Sequence, residues 1–124
     1  ATTCKIVLKS SGRQYRDFIS LHNVARAVYH FLFVIPDKWG DGLYNLGGNC
    51  SMSILEVAQR IANVYRLKYK RESMIKTRPE HDSSNIAKPI KYSIEKLLKT
   101  KFVLRGEMDL EIEKTIDLCK KFYA

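Results

Sequence analysis

The chain has 124 residues, the size of one domain, and is long enough to bury a core without metal or disulfide staples. Hydrophobic residues make up 45% and charged residues 28%, a balance that excludes a disordered chain. The net charge of +9 points to anionic partners, and no apolar run approaches the length of a transmembrane helix.

Taken in chain order, Lys5–Lys9 reads as a strand, Ser10–Gln14 as a turn and Tyr15–Ser20 as a second strand. The two strands could pair as a hairpin. Alternation along the second strand puts Tyr15, Asp17 and Ile19 on one face, and Arg16 and Phe18 on the other. Asn23 is expected to cap a helix whose apolar positions are Val24, Ala27, Val28, Phe31 and Ile35, ended by Pro36. The loop from Pro36 to Gly42 is rich in turn residues. Leu43–Leu46 reads as a short strand closed by Gly47 and Gly48.

The next helix has the clearest start. Ser53 with Glu56 three positions on is a capping box, and Ile54, Val57, Ala58, Ile61 and Tyr65 form one apolar stripe. A strand is expected around Met74–Thr77, followed by a polar loop from Arg78. Ser93 is placed to cap a short helix through Lys99. The last helix runs from Asp109 to Phe122, with acids in its first turn and lysines in its last, as the helix dipole favours. The expected fold is therefore α/β, an α+β-like small lobe of short strands with about four helices. Residues 1–124 are read as a single domain.

The lysines are spread along the chain, and the densest run, Arg66–Arg71, follows a helix. That argues against nucleic acid and fits either a solvated surface or a small anionic ligand such as a nucleotide diphosphate. Cys4, Cys50 and Cys119 are odd in number and far apart. They read as thiols in a reducing compartment and predict neither a zinc site nor a disulfide framework. No signal peptide is visible, so a cytoplasmic location is expected. The chain begins with Ala1, which fits either removal of Met or a chain cut from a longer protein.

Several motifs invite chemistry. Gly47-Gly48 stands between strand and helix, but lacks the G-x-G-x-x-G spacing that brings a backbone up to a pyrophosphate. Tyr92 and Lys96 have the Y-x-x-x-K form, yet Tyr92 precedes the helix cap and would not share a face with Lys96. His22, His30 and His81 have no metal-ligand spacing, and His30 reads as a packed histidine. Arg16 and Arg78 remain. Each is either a solvated surface residue or half of a clamp, because a planar guanidinium gives a phosphate two parallel charge-assisted hydrogen bonds.

Four stretches occur in order: Gly12–Val28 (GRQYRDFISLHNVARAV), Gly42–Ala62 (GLYNLGGNCSMSILEVAQRIA), Arg78–Asp82 (RPEHD) and Tyr92–Phe102 (YSIEKLLKTKF). The ordered set resembles the C-terminal part of the extended short-chain dehydrogenases/reductases, the epimerases, dehydratases and reductases that modify sugar nucleotides. The resemblance spans residues 12–105. It implies a substrate-binding lobe without its Rossmann domain. In the parent enzyme, that absent lobe would hold NAD or NADP and the catalytic Y-x-x-x-K pair. The fragment itself would carry no catalytic residue, cofactor or metal. By the same resemblance, Arg16 and Arg78 would hold the diphosphate, and His81 and Asp82 would lie near the ribose or base. Asn45 would be structural. Asn23 and His22 stand where aspartates are usual, and Glu80 replaces the glycine of R-P-G-H-D.

The expected partners are a nucleotide-sugar and the missing Rossmann lobe, with a homodimer possible through the surface that lobe would leave bare. No membrane partner is expected. The rival reading is a non-catalytic basic module that binds nucleic acid or a protein.

Overall fold

The computed structural model describes residues 4–79, 88–89 and 91–123, the side chain of Tyr123 excepted. Among the described residues, four strands and four α-helices follow in the order β1 Lys5–Val7, β2 Tyr15–Asp17, α1 Leu21–Tyr29, β3 Ser51–Ser53, α2 Ile54–Tyr69, β4 Met74–Lys76, α3 Glu95–Leu98 and α4 Met108–Tyr123. A π-helical turn, His30–Val34, extends α1. The expected α/β character with short strands and four helices is borne out. The chain forms two compact units, one of Ala1–Arg16, Met52–Pro89 and Glu107–Ala124, the other of Asp17–Ser51 and Ile90–Gly106.

In the first unit β1 and β4 pair in parallel, with Lys5 opposite Met74, Ile6 opposite Ile75 and Val7 opposite Lys76. The expected hairpin between β1 and β2 does not form. Parallel strands need a long crossover, and α2 supplies it by returning the chain to β4 beside β1. Strand β2 pairs instead with β3. Gln14 O accepts from Ile54 N–H (3.0 Å) at one end of that pair, and Phe18 N–H donates to Cys50 O (3.0 Å) at the other. The partner indices fall as β2 advances, so the pair is antiparallel.

The capping box at the start of α2 forms as expected. Glu56 N–H donates to Ser53 Oγ (3.1 Å) and Ser53 N–H to the Glu56 carboxylate (2.6 Å). These bonds hold the Glu56 carboxyl below its usual range. Ala58, Val64 and Tyr65 are the buried residues of α2. Its outer side is laced to α4: Arg60 pairs with Asp109, and Lys68 with Glu113 and Asp117. The Tyr69 hydroxyl donates to Asp117.

The core of the second unit is Ala27, Leu97 and Phe102, with Phe31, Tyr44, Leu46 and Leu104 packed around it. Helix α1 is capped by Ser20, whose side chain accepts from Asn23 N–H. Asn23 is therefore not the cap. It is buried one turn inside, where Nδ2 donates to Arg105 O (2.7 Å) and Oδ1 accepts from Arg105 N–H (2.9 Å). His30 is packed as expected: Nε2 lies 2.9 Å from Thr100 Oγ1. Leu43–Leu46 forms no strand, although Tyr44 and Leu46 do turn inward while Leu43 and Asn45 stay exposed. In α3, Ser93 Oγ accepts from Glu95 N–H at 3.4 Å, but the residue at the cap position itself is Ile94.

Candidate functional site

The stretch Ser10–Arg16 is built around Gly12. Its φ is +78°, and a Cβ there would sit 2.8 Å from Leu8 Cδ1 and 3.0 Å from Leu55 Cβ. Only glycine suits that combination of left-handed backbone and crowding. The loop is tied on both sides. Gly12 O and Gln14 O accept from Leu55 and Ile54 N–H at the start of α2, and Ser10 Oγ donates to Gln14 Oε1 (3.1 Å).

The two arginines flank this loop. Arg78 lies just beyond β4, and its N–H donates to Ser10 O (3.1 Å). Arg16 lies in β2, two residues after Gln14. Arg16 is six positions after Ser10, a span of at most about 20 Å, shortened by the turn. Both arginines belong to the first unit and both are exposed. The Arg16 guanidinium donates to Tyr15 O (2.7 Å). Among the described residues neither has a carboxylate partner. Two cations without acidic partners among the described residues, one in β2 and one just beyond β4, are chemically competent to receive an anion. His81 and Asp82 lie outside the described residues.

Asp17, the next residue after Arg16, has a different role. Its carboxylate accepts from Gly48 N–H (2.7 Å) and Cys50 N–H (2.9 Å). This joins Asp17 to the Gly47-Gly48 turn within the second unit. The two glycines are there for close approach: a Cβ on Gly48 would lie 1.7 Å from Phe18 O, and one on Gly47 would lie 2.6 Å from both Asp17 Oδ2 and Tyr92 Cδ1. With one N–H committed to Asp17 and Phe18 pressed against the turn, the pair does not suit a dinucleotide pyrophosphate. Sequence reasoning missed Asp17. The available signal was an acid at a strand end in a chain that later places two glycines before a capped helix.

The remaining candidates are structural. Tyr92 packs its ring at Gly47, while the Lys96 ammonium pairs with Asp41, donates to Leu43 O (2.6 Å) and lies over the Tyr44 ring. The two do not act together. Asn45 Nδ2 donates to Ser93 O (3.1 Å). Cys4, Cys50 and Cys119 are free thiols, each half-buried. Among the described residues no cluster of three or more His, Cys, Asp or Glu is placed to hold a metal ion, and no helix is long and apolar enough to cross a membrane.

No family model matches the chain and no curated protein matches it. Among solved structures, a UDP-N-acetylglucosamine 4-epimerase from Methanobrevibacter ruminantium, in complex with UDP-N-acetylmuramic acid, is similar with a TM-score of 0.66 at 20% sequence identity. The likeness is one of fold. It covers 95% of this chain and 35% of that one, so the chain spans about a third of the length of the structure it matches.

Proposed function

We propose that this chain is the sugar-nucleotide-binding lobe of an NAD(P)-dependent epimerase, dehydratase or reductase, with Arg16 and Arg78 as the clamp on the diphosphate. The observation that carries this reading is the pair of exposed arginines, without acidic partners among the described residues, set on either side of the Gly12 loop. It is supported by the ordered motifs around them, and by a fold like that of a protein solved with a UDP-sugar.

On this reading the lobe binds and orients substrate. Hydride chemistry belongs to a cofactor held by a second, Rossmann-type lobe. His81 and Asp82 are proposed to complete the site at the ribose or base. The chain alone is then expected to bind weakly and to turn nothing over, because half of the cleft would come from elsewhere.

The test is a titration of the full chain with UDP and with a UDP-sugar, followed by amide chemical shifts. Saturable perturbation at Arg16, Arg78 and the Gly12 loop, abolished in Arg16→Ala and in Arg78→Ala, is the expected result. Shifts elsewhere, or shifts that survive both substitutions, would overturn the clamp. Binding of an oligonucleotide in preference to UDP, with a steep loss of affinity in salt, would favour the basic-module reading instead.

A further inference from the structure

The β1–β4 pair keeps a regular parallel ladder only as far as Leu8. Met74 N–H donates to Cys4 O (3.0 Å) and Leu8 N–H to Lys76 O (2.8 Å). A parallel ladder steps two residues at a time along each strand, so its next bond would run from Arg78 N–H to Leu8 O. Arg78 N–H goes instead to Ser10 O (3.1 Å), two residues further along. The chain is bulged between Leu8 and Ser10, and the carbonyl that holds Arg78 is the one at which it leaves the sheet. Bulges re-aim a side chain or end the pairing. Here the residue affected is one of the two arginines.

The Ser10 side chain serves the other arginine. Its hydroxyl accepts from Gly12 N–H (3.3 Å) and donates to Gln14 Oε1 (3.1 Å). A hydroxyl has one proton and two lone pairs, so both bonds coexist. They close the turn that ends at Gln14, and Arg16 follows two residues later in β2. Ser10 is thus bonded toward Arg78 through its carbonyl and toward Arg16 through its hydroxyl. The bonds that Gly12 O and Gln14 O accept from the start of α2 do not involve that hydroxyl. The loop is anchored without it. What the hydroxyl adds is a fixed separation between the Ser10 carbonyl and the Gln14 end of the turn.

We infer that Ser10 is the positioning residue of the clamp: it sets the spacing of Arg16 and Arg78, and with it the preference for a diphosphate over a monophosphate. Two forks hold one ligand well when their separation already matches that of its two anionic groups, because no binding energy is then spent on ordering them. A monophosphate engages one fork at a time and is indifferent to the spacing. The inference rests on the reading of Arg16 and Arg78 as a diphosphate clamp and adds what holds that clamp at its gauge.

Titration of the full chain and of Ser10→Ala with UDP and with UMP, read by amide chemical shifts, tests it. The unaltered chain is expected to prefer UDP. Ser10→Ala should weaken UDP about fivefold, the worth of roughly one hydrogen bond, and leave UMP affinity as it was. A role confined to folding would weaken both ligands alike. Gln14→Leu removes the acceptor of the Ser10 hydroxyl and should repeat the loss, and the double variant should lose no more than either change alone. Equal weakening of UDP and UMP, a UDP preference retained in Ser10→Ala, or additive losses in the double variant would each overturn the role of Ser10. Arg16→Ala and Arg78→Ala separate this from the clamp. If they abolish the preference for UDP while Ser10→Ala keeps it, the clamp stands and Ser10 is not what positions it. If both arginine variants bind UDP as the unaltered chain does, or the unaltered chain does not bind UDP, the clamp falls and this inference falls with it.

Discussion

The carboxylate of Asp17 holds the turn at Gly48: it accepts from Gly48 N–H at 2.7 Å and, on its other oxygen, from Cys50 N–H at 2.9 Å. One side chain thus fixes the end of β2 and the approach to β3. Hydrogen bonds to a charged group contribute about 1.5–3 kcal/mol each, and removing the acceptor leaves two backbone donors unpaired. Asp17→Ala is expected to destabilise the chain by about 3 kcal/mol, read as a fall in the urea midpoint. Asp17→Asn keeps one acceptor oxygen and should lose less. Equal losses in the two variants would show that a single amide oxygen replaces neither carboxylate bond.

The glycines rank themselves. A Cβ on Gly48 would sit inside the Phe18 carbonyl, one on Gly47 against the Asp17 carboxylate and the Tyr92 ring, and one on Gly42 against nothing within 4 Å. Gly42 does have φ +74°, so Gly42→Ala carries backbone strain of about 1 kcal/mol. The expected order of destabilisation is Gly48→Ala, then Gly47→Ala, then Gly42→Ala. The first should fail to give a cooperative thermal transition. In the second the Tyr92 ring can move, so the protein should fold with a lowered midpoint.

Local signals were legible in the sequence where the answer was local. The Ser53–Glu56 box, the α2 stripe and the dipole-matched charges of α4 are each contained within a few residues, and the structure has them where the pattern puts them. The hairpin was misread because strand pairing is not local. Lys5–Val7 takes its partner from Met74–Lys76, almost seventy residues away. Asn23 was misread because two residues compete for one role. Ser20 takes the cap, which frees the Asn23 amide for the Arg105 backbone. In α1 the stripe was legible except at its edge: Ala27 is in the core and Phe31 packs on it, while Val28 is exposed. Periodicity reports that a face is apolar and not what covers it. The two arginines of the proposed clamp stood out because a planar, fork-shaped cation is a chemical signal carried by a single position. Asp17 was not found, because its two donors are backbone N–H groups about thirty residues away.

Acid should weaken the α2–α4 contact and the α2 cap together. Asp117 is held below its ordinary value of 3.8 by hydrogen bonds from Lys68 and then Tyr69. Glu56 is held below 4.5 by its bonds to Ser53. A carboxylate depressed on folding contributes stability that is present above its unfolded pKa and is lost as pH falls through the folded one. Stability should therefore be flat from neutral pH to about pH 5 and fall below that. Asp117→Asn should flatten the acid limb. On the alkaline side Lys68 is raised, chiefly by Asp117 and Glu113. Its contribution is present below its unfolded pKa of 10.5 and is lost as pH rises further. Denaturant midpoints measured across pH test both limbs. An acid limb unchanged in Asp117→Asn would show that the carboxylate contributes nothing to it.

Arg16→Lys separates charge from geometry at the proposed clamp. Lysine keeps the cation but loses the planar fork that offers a diphosphate two parallel hydrogen bonds. If Arg16 acts only as a point charge, the lysine variant should bind UDP as the unaltered chain does, and both should weaken alike in salt. If it acts as a fork, affinity should fall about tenfold, the loss of roughly one charge-assisted hydrogen bond, while the salt slope stays the same because the charge count is unchanged. Arg16 is exposed on β2 and, among the described residues, its guanidinium bonds its own neighbour's carbonyl, so the substitution should leave the thermal midpoint in place. Calorimetric titration of Arg16→Lys and Arg16→Ala at two salt concentrations distinguishes the cases. The expected order of affinity is arginine, then lysine, then alanine, and a lysine variant that binds as tightly as arginine would remove the fork from the account.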